Sequence, residues 1–568
     1  MSYQLRLNGK TWKTINGKRI RNLIYNGTVY EIAQPTKWPG YLTFSSDNAF
    51  SITISTDTQY NGSLEYSTDT TIWMEVTKGT AISSVNNKIY LRGSNNTHCR
   101  STTDNKPVFL LSGSKIKCDG NIETLLDYQT VLNNQHPTTT TYCYRQLFAG
   151  CTNLVTAPAL PGTKLSQYCY REMFYNCTSL IQAPDLPATT VTIGCYKTMF
   201  YGCTSLTQAP ALPATTAVYN CYYAMFVDCT NLMAAPELPA TTLSDYCYAY
   251  MFQGCTSLTT APELPATVLQ SKCYNSMFKN CTRLTAAPEL PATTLAYYCY
   301  GGMFSGCTSL IVAPDLPVTE LAEGCYQTMF YGCTGLTTAP ELPALTITHS
   351  GYYAMFYGCT GLTKVPALPA TTLDEHCYAF MFQGCTNLTQ LPALPTLTLA
   401  NNCYQQMFNY CSKIKLAATN TNAYTNKYRV PYGTATGTTA SSSLSNMFLN
   451  TGGAITGTPS INTTYYTSNE IVYGLTIQVE DSEKEYIQIL SDIPTSIVTN
   501  ETVRIRVRAL GSRTTVSYSN TGGTSITKEF ISSAEDGSYN DYDLIISNPT
   551  DFDTIQITHS FLANPTPW

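Results

Sequence analysis

The chain has 568 residues, a net charge of −5 and only 12% charged residues. Phosphate neutralisation needs clustered Lys and Arg, so nucleic acid is excluded as the principal ligand. Twenty-three cysteines in 568 residues fall well below the roughly 8–10% of a disulfide scaffold, and no run of 18 apolar residues is present to span a membrane.

Residues 1–36 read as a basic β-hairpin module. Three Asn-Gly pairs, Asn8-Gly9, Asn16-Gly17 and Asn26-Gly27, are flanked by alternating apolar and polar residues, a strong hairpin signal. Lys10, Lys13, Lys18, Arg19 and Arg21 mark this module as a candidate docking site for an acidic partner, or else as a solvated β-meander. Residues 1–20 are polar, which argues against a signal peptide. After a Pro- and Gly-containing linker, residues 41–118 alternate in the strand manner with turn signals about every ten residues, as a small β-sandwich does. Residues 119–140 hold one helix-forming stretch, 121–127, and are expected to cap a solenoid that begins at residue 141.

Residues 141–418 are a repeat array. Cysteine recurs every 26 residues from Cys151 to Cys411, a period that signals stacked units rather than a single globule. The unit, clearest over 255–280, reads C-T-S-L-T-x-A-P-E-L-P-A-T-x-L-x-x-x-C-Y-x-x-M-F. A second cysteine stands eight residues before each ruler cysteine except at Gly351, and the tyrosine (Tyr144 to Tyr404) and phenylalanine (Phe148 to Phe408) never fail. C-Y-x-x-M-F-x-x-C places apolar residues at i, i+1, i+4, i+5 and i+8, one stripe of a short α-helix. The proline-bounded L-T-x-A-P-E-L-P is too short for a helix and reads as an interrupted strand. The expected fold is an α/β solenoid of about 11 units, flanked by all-β N- and C-terminal domains. The core-stripe cysteines are expected to be free buried thiols; disulfides between stacked equivalents stay open on geometry, and no metal-ligand spacing occurs. Residues 419–470 keep an echo of the unit at Met447-Phe448 and read as a C-terminal cap; residues 471–568 alternate as a second β-sandwich-like domain.

The unit resembles the BspA-like class of leucine-rich repeats, carried here by Leu258, Leu264, Pro265, Met277, Phe278, Cys281 and Leu284. Ala261-Pro262 stands where that class has isoleucine, and the period is longer than is common there. The stretch 64–73, the segment 89–93 and the hairpin 26–32 resemble modules in tail proteins of bacteriophages. Together these resemblances imply a structural, adhesive virion protein of a tailed phage, a fibre or surface appendage. It would be made in the host cytoplasm and end on the virion surface. The N-terminal module would join other virion proteins, and the repeats would bind a host surface glycan or protein. Such fibres are often homotrimers. A secreted, extracellular adhesin with the same repeats is the alternative, and a carbohydrate-active enzyme on a solenoid the third reading.

No catalysis is expected, because the five histidines His98, His136, His349, His376 and His559 are scattered without triad or metal spacing; no cofactor or membrane insertion is expected either. Two surfaces are candidates for ligand binding. Glu237, Glu263, Glu289, Asp315 and Glu341 precede a core leucine in consecutive units, so strand alternation turns them outward in one row, as a cation or basic-ligand site or as a solvated stripe. Tyr223, Tyr250, Tyr298 and Tyr353 lead a set of tyrosines at variable positions, suited to sugar rings and protein hot spots or to lateral packing.

Overall fold

The computed structural model describes residues 40–472 in full apart from 105, and of the flanking segments only the backbone of certain strands. In the N-terminal segment Leu5–Leu7 pairs with Lys10–Trp12 across Asn8-Gly9, and Asn22–Tyr25 with Thr28–Glu31 across Asn26-Gly27, both antiparallel. Asn16-Gly17, Lys13, Lys18, Arg19 and Arg21 lie outside the described residues, and Lys10 is described only as backbone. In the C-terminal segment a four-stranded sheet runs in the order Thr476–Val479, Thr554–Phe561, Arg513–Ser519, Ser525–Ile531. A three-stranded one joins Ile487–Ile489, Thr502–Leu510 and Tyr539–Ser547.

The repeats stack as expected, but they are not built from helices. Among the described residues the one α-helix is Thr124–Leu132, outside the array, and it packs on strand Lys88–Ser94. The C-Y-x-x-M-F-x-x-C segment is instead a chain of overlapping tight turns with a period of four. Every fourth residue is left-handed, as at Tyr246 (φ 57°), Tyr250 (φ 59°) and Gly254 (φ 74°). Backbone donors alternate. Tyr248, Tyr250, Phe252 and Gly254 donate to carbonyls of the next unit, Cys273, Asn275, Met277 and Lys279, at 2.8–3.0 Å. Between them Ala249, Met251, Gln253 and Cys255 donate to the carbonyl three residues back in their own turn. An α-helix would spend every donor internally; here half of them bind unit to unit.

The sequence supports this choice at one position. The last left-handed residue of each turn chain is Gly, Asn or Asp in every unit from Gly150 to Gly384, and Tyr410 only in the last. These residues tolerate positive φ best. The proline-bounded segment forms single parallel bridges rather than a sheet, as in Thr260↔Ala286↔Val312↔Thr338↔Lys364, because proline removes ladder donors.

Identical side chains therefore stand in columns. The rings of Phe148 to Phe408 stack at 5.3–5.8 Å and those of Tyr144 to Tyr404 at 5.4–6.0 Å, nearly parallel. All 23 cysteines are free and buried. The ruler cysteines also make a specific contact: each donates its S–H to the carbonyl of the phenylalanine one unit back, as Cys281 does to Phe252 at 3.1 Å, while Cys255 N–H donates to the same oxygen. Gly351, the gap in the second cysteine column, sits where an added Cβ would lie 3.0 Å from Ile347 Cγ2.

The ends are closed by continuing the columns. At the N-terminal end the β unit itself supplies the covering turn. Cys99, Ser101, Val108 and Phe109 donate to carbonyls of 143–147, and Phe109 packs 5.1 Å from Phe148. Strand Ile116–Asp119 pairs in parallel with Leu154–Thr156, so a six-stranded sheet, continued through Leu42–Ser45, Lys88–Ser94, Ser63–Ser67 and Met74–Glu75, merges with the first unit. Residues 99–119 share the covering of the first unit with the segment 119–140 expected to cap it, where Asn121 bridges Ala159 in parallel and Ile122 N–H donates to the Ala159 carbonyl at 3.1 Å. At the C-terminal end Phe448 stacks on Phe408 at 5.5 Å, with Tyr404, Gln406 and Phe408 donating to Ser443, Ser445 and Met447. Strand Glu470–Gly474 pairs in parallel with Gln390–Pro392, and buried Asn469 bonds the carbonyls of Thr389 and Lys413.

Two outcomes test this architecture. Burial pushes the thiols of Cys195 and Cys247 up to about 12, so an aromatic disulfide reagent should label no cysteine in the native protein and all 23 after denaturation. Rapid labelling of a column cysteine in native protein would contradict the packing. Thr198 is β-branched yet left-handed (φ 53°), where Gly302 stands four units on with φ 62°. Thr198→Gly should raise stability by about 1 kcal/mol in thermal unfolding; a loss of stability would show that the turn is not strained there.

Candidate binding surface

The five acids do face outward. In each unit the acid is exposed and the leucine after it buried, as with Glu263 and Leu264. The 26-residue bridge register sets Glu263, Glu289, Asp315 and Glu341 in line, and an open groove lined by Pro236, Glu237, Pro262 and Glu263 runs between two units. Among the described residues none of the five carboxylates pairs with a cation.

The tyrosines form a more organised surface on the turn chains. Tyr223 and Tyr250, in neighbouring units, meet edge to face at 5.5 Å, and Tyr246 lies 6.5 Å from Tyr223 and 6.2 Å from Tyr219. The hub is Lys272, whose ammonium stands over Tyr246 at 5.2 Å, Tyr297 at 5.3 Å and Tyr298 at 5.6 Å. The Tyr246 hydroxyl beside it raises the Lys272 pKa and keeps the charge in place. Lys197 lies over Tyr223 at 4.8 Å. Tyr219 and Tyr297 remain 43% and 42% exposed, so the patch presents open aromatic faces, hydroxyls and one caged cation to solvent. Tyr353 is not part of it; it contacts Phe380 at 5.4 Å and His376 at 6.4 Å. Tyr175 stacks on Tyr201 at 4.8 Å and Tyr331 on Tyr357 at 4.6 Å, which is lateral packing between units.

Lys272 is not among the residues expected from sequence. Its signal was available: it occupies the same column as Tyr246 and Tyr298, 26 residues to either side. Two other groupings also arise only in the fold. Glu123 is buried and its carboxyl is raised by desolvation, opposed by His136, whose Nδ1 lies 2.9 Å from both carboxylate oxygens. With Tyr144, Tyr170, Lys164 and Ser166 this pair lines a cleft of about 350 Å³ beside the first unit. His349 and His376, scattered by sequence, come within 5.9 Å ring to ring.

No curated protein and no solved structure matches the chain. The BspA type leucine rich repeat region matches in six copies over residues 127–249, 167–311, 225–363 and 320–429, which together span more than half of the 568 residues. Repeats of this type point to a surface adhesin-like repeat protein. With its 26-residue ruler, proline-bounded bridging segment and stacked Phe and Cys columns, the chain belongs to the BspA type leucine rich repeat family.

Proposed function

We propose that the chain is an adhesive display protein of a tailed-phage virion. The tyrosine patch around Lys272 contacts a host surface glycan or protein, and the basic N-terminal module docks to other virion proteins. The observation that carries the binding half is the contiguous patch of Tyr219, Tyr223, Tyr246, Tyr250, Tyr297 and Tyr298 around one cation, on turn chains held rigid from both sides. Aromatic faces stack on the apolar side of sugar rings while hydroxyls and the ammonium take polar and anionic substituents. Binding is non-covalent, and copies of the chain on one particle would add avidity without new contacts. The virion half rests on the resemblance of the flanking segments to phage tail modules. The acidic row reads as a solvated stripe that keeps the bridged face soluble, since its carboxylates lack partners and repel one another.

A glycan array probed with the purified full chain tests the binding half. Tyr250→Ala and Tyr298→Ala should each weaken binding about tenfold, with Glu289→Gln as the unaffected control. Loss through Glu289→Gln with the tyrosine variants intact would move the site to the acidic row. For the virion half, proteomics of purified particles should find the polypeptide; its absence from intact particles removes that half alone.

A further inference from the structure

We propose that His349, Glu375 and His376 form a binding site for a divalent transition-metal ion of the zinc type. The three residues come from two successive turn chains. One ligand atom from each lies within 4.8 Å of the other two. Ligand atoms about 2.1 Å from a tetrahedral ion stand roughly 3.4 Å apart. The observed spread closes by side-chain rotation, since Glu375 is exposed and both histidines are partly so.

Three features make this more than a chance cluster. The donor set is two imidazoles and one carboxylate, which suits zinc and its neighbours and not calcium or magnesium, which take oxygen alone. The groups around it are arranged. Asn401 donates its Nδ2 to Glu375 Oε1 at 2.6 Å, which orients the carboxylate and leaves its other oxygen free. Glu323 Oε1 stands 3.5 Å from His349 Nδ1, too long for a good hydrogen bond but placed as the carboxylate that commonly accompanies a ligating histidine. Finally, His349 Nδ1 is shielded from solvent and has no hydrogen-bond partner. A buried polar nitrogen left unpaired costs free energy that a bound ion, or the ring reorientation it drives, would recover. Three protein donors leave one coordination position open to solvent or to a donor from a docked partner.

The test uses the full chain stripped with chelator and titrated calorimetrically with zinc chloride. The variants are His349→Asn and His376→Asn, because asparagine already stands in both columns: Asn401 two units on from His349 and Asn402 one unit on from His376, Asn402 being left-handed (φ 55°) like His376 (φ 56°). The fold should survive, which an unchanged thermal midpoint of the metal-free variants verifies. The parent should bind one zinc per chain, each single variant should lose roughly tenfold or more in affinity, and the double variant roughly a hundredfold. The thermal midpoint should rise with zinc for the parent only. The 23 thiols do not compete while the protein is native, because all are buried. Absence of saturable binding by the parent in molar excess of zinc overturns the proposal, as does equal binding by the double variant.

Discussion

The structure depends on how one nine-residue segment spends its backbone N–H groups. In C-Y-x-x-M-F-x-x-C, alternate donors close tight turns within the unit and the others reach the next unit. Each such bond is worth only about 1 kcal/mol net, but every unit repeats the set, and no unit can satisfy its backbone or cover its apolar face alone. Making both sets of bonds at once requires a left-handed residue every fourth position. That requirement carries a backbone strain at each non-glycine site, which the columns of Phe, Tyr, Met and Cys offset by burial. The cysteine column belongs to the same scheme. Its S–H supplies a second donor to a phenylalanine carbonyl that would otherwise have only the turn bond, something alanine or valine of similar size could not do.

Because the inward residues and the backbone are fixed by stacking, the outward positions of the turn chain are free to vary. Along the array they change chemistry in blocks. Arg145, Arg171 and Lys197 occupy one column at its start, and Tyr223 comes next in the same column. The tyrosines around Lys272 form the middle block, and Glu323, His349, Glu375 and His376 the block beyond. A scaffold that keeps its core constant and alters only its outer columns suits recognition better than catalysis, and adhesin-like repeats are what the family match indicates. The ends obey the same logic: each is covered by a segment that reproduces the column residues, Phe109 on one side and Phe448 on the other, although neither lies in a 26-residue unit. An uncovered terminal unit would expose a full set of unpaired donors or acceptors with an apolar face.

Counting along the chain was enough to set the 26-residue register, the buried columns and the outward row of acids. It did not distinguish an α-helix from a chain of turns. Over nine residues, apolar positions at i, i+4 and i+8 fit periods of 3.6 and 4.0 almost equally, and only the Gly, Asn or Asp at the end of each segment favoured the second. Alignment by 26 also suffices to place Lys272 between Tyr246 and Tyr298. The contacts that cross from one column to the next arise only in the folded stack. Tyr219 with Tyr246, Tyr223 with Tyr250, His349 with His376 and Tyr353 with Phe380 are each 27 residues apart. In all four the second residue is left-handed. Left-handed Tyr142 and Tyr168 instead stack within their own column at 4.8 Å, so whether a ring stays in its column or crosses to the next is set by how the side chains pack in the stack, which no periodicity in the sequence encodes.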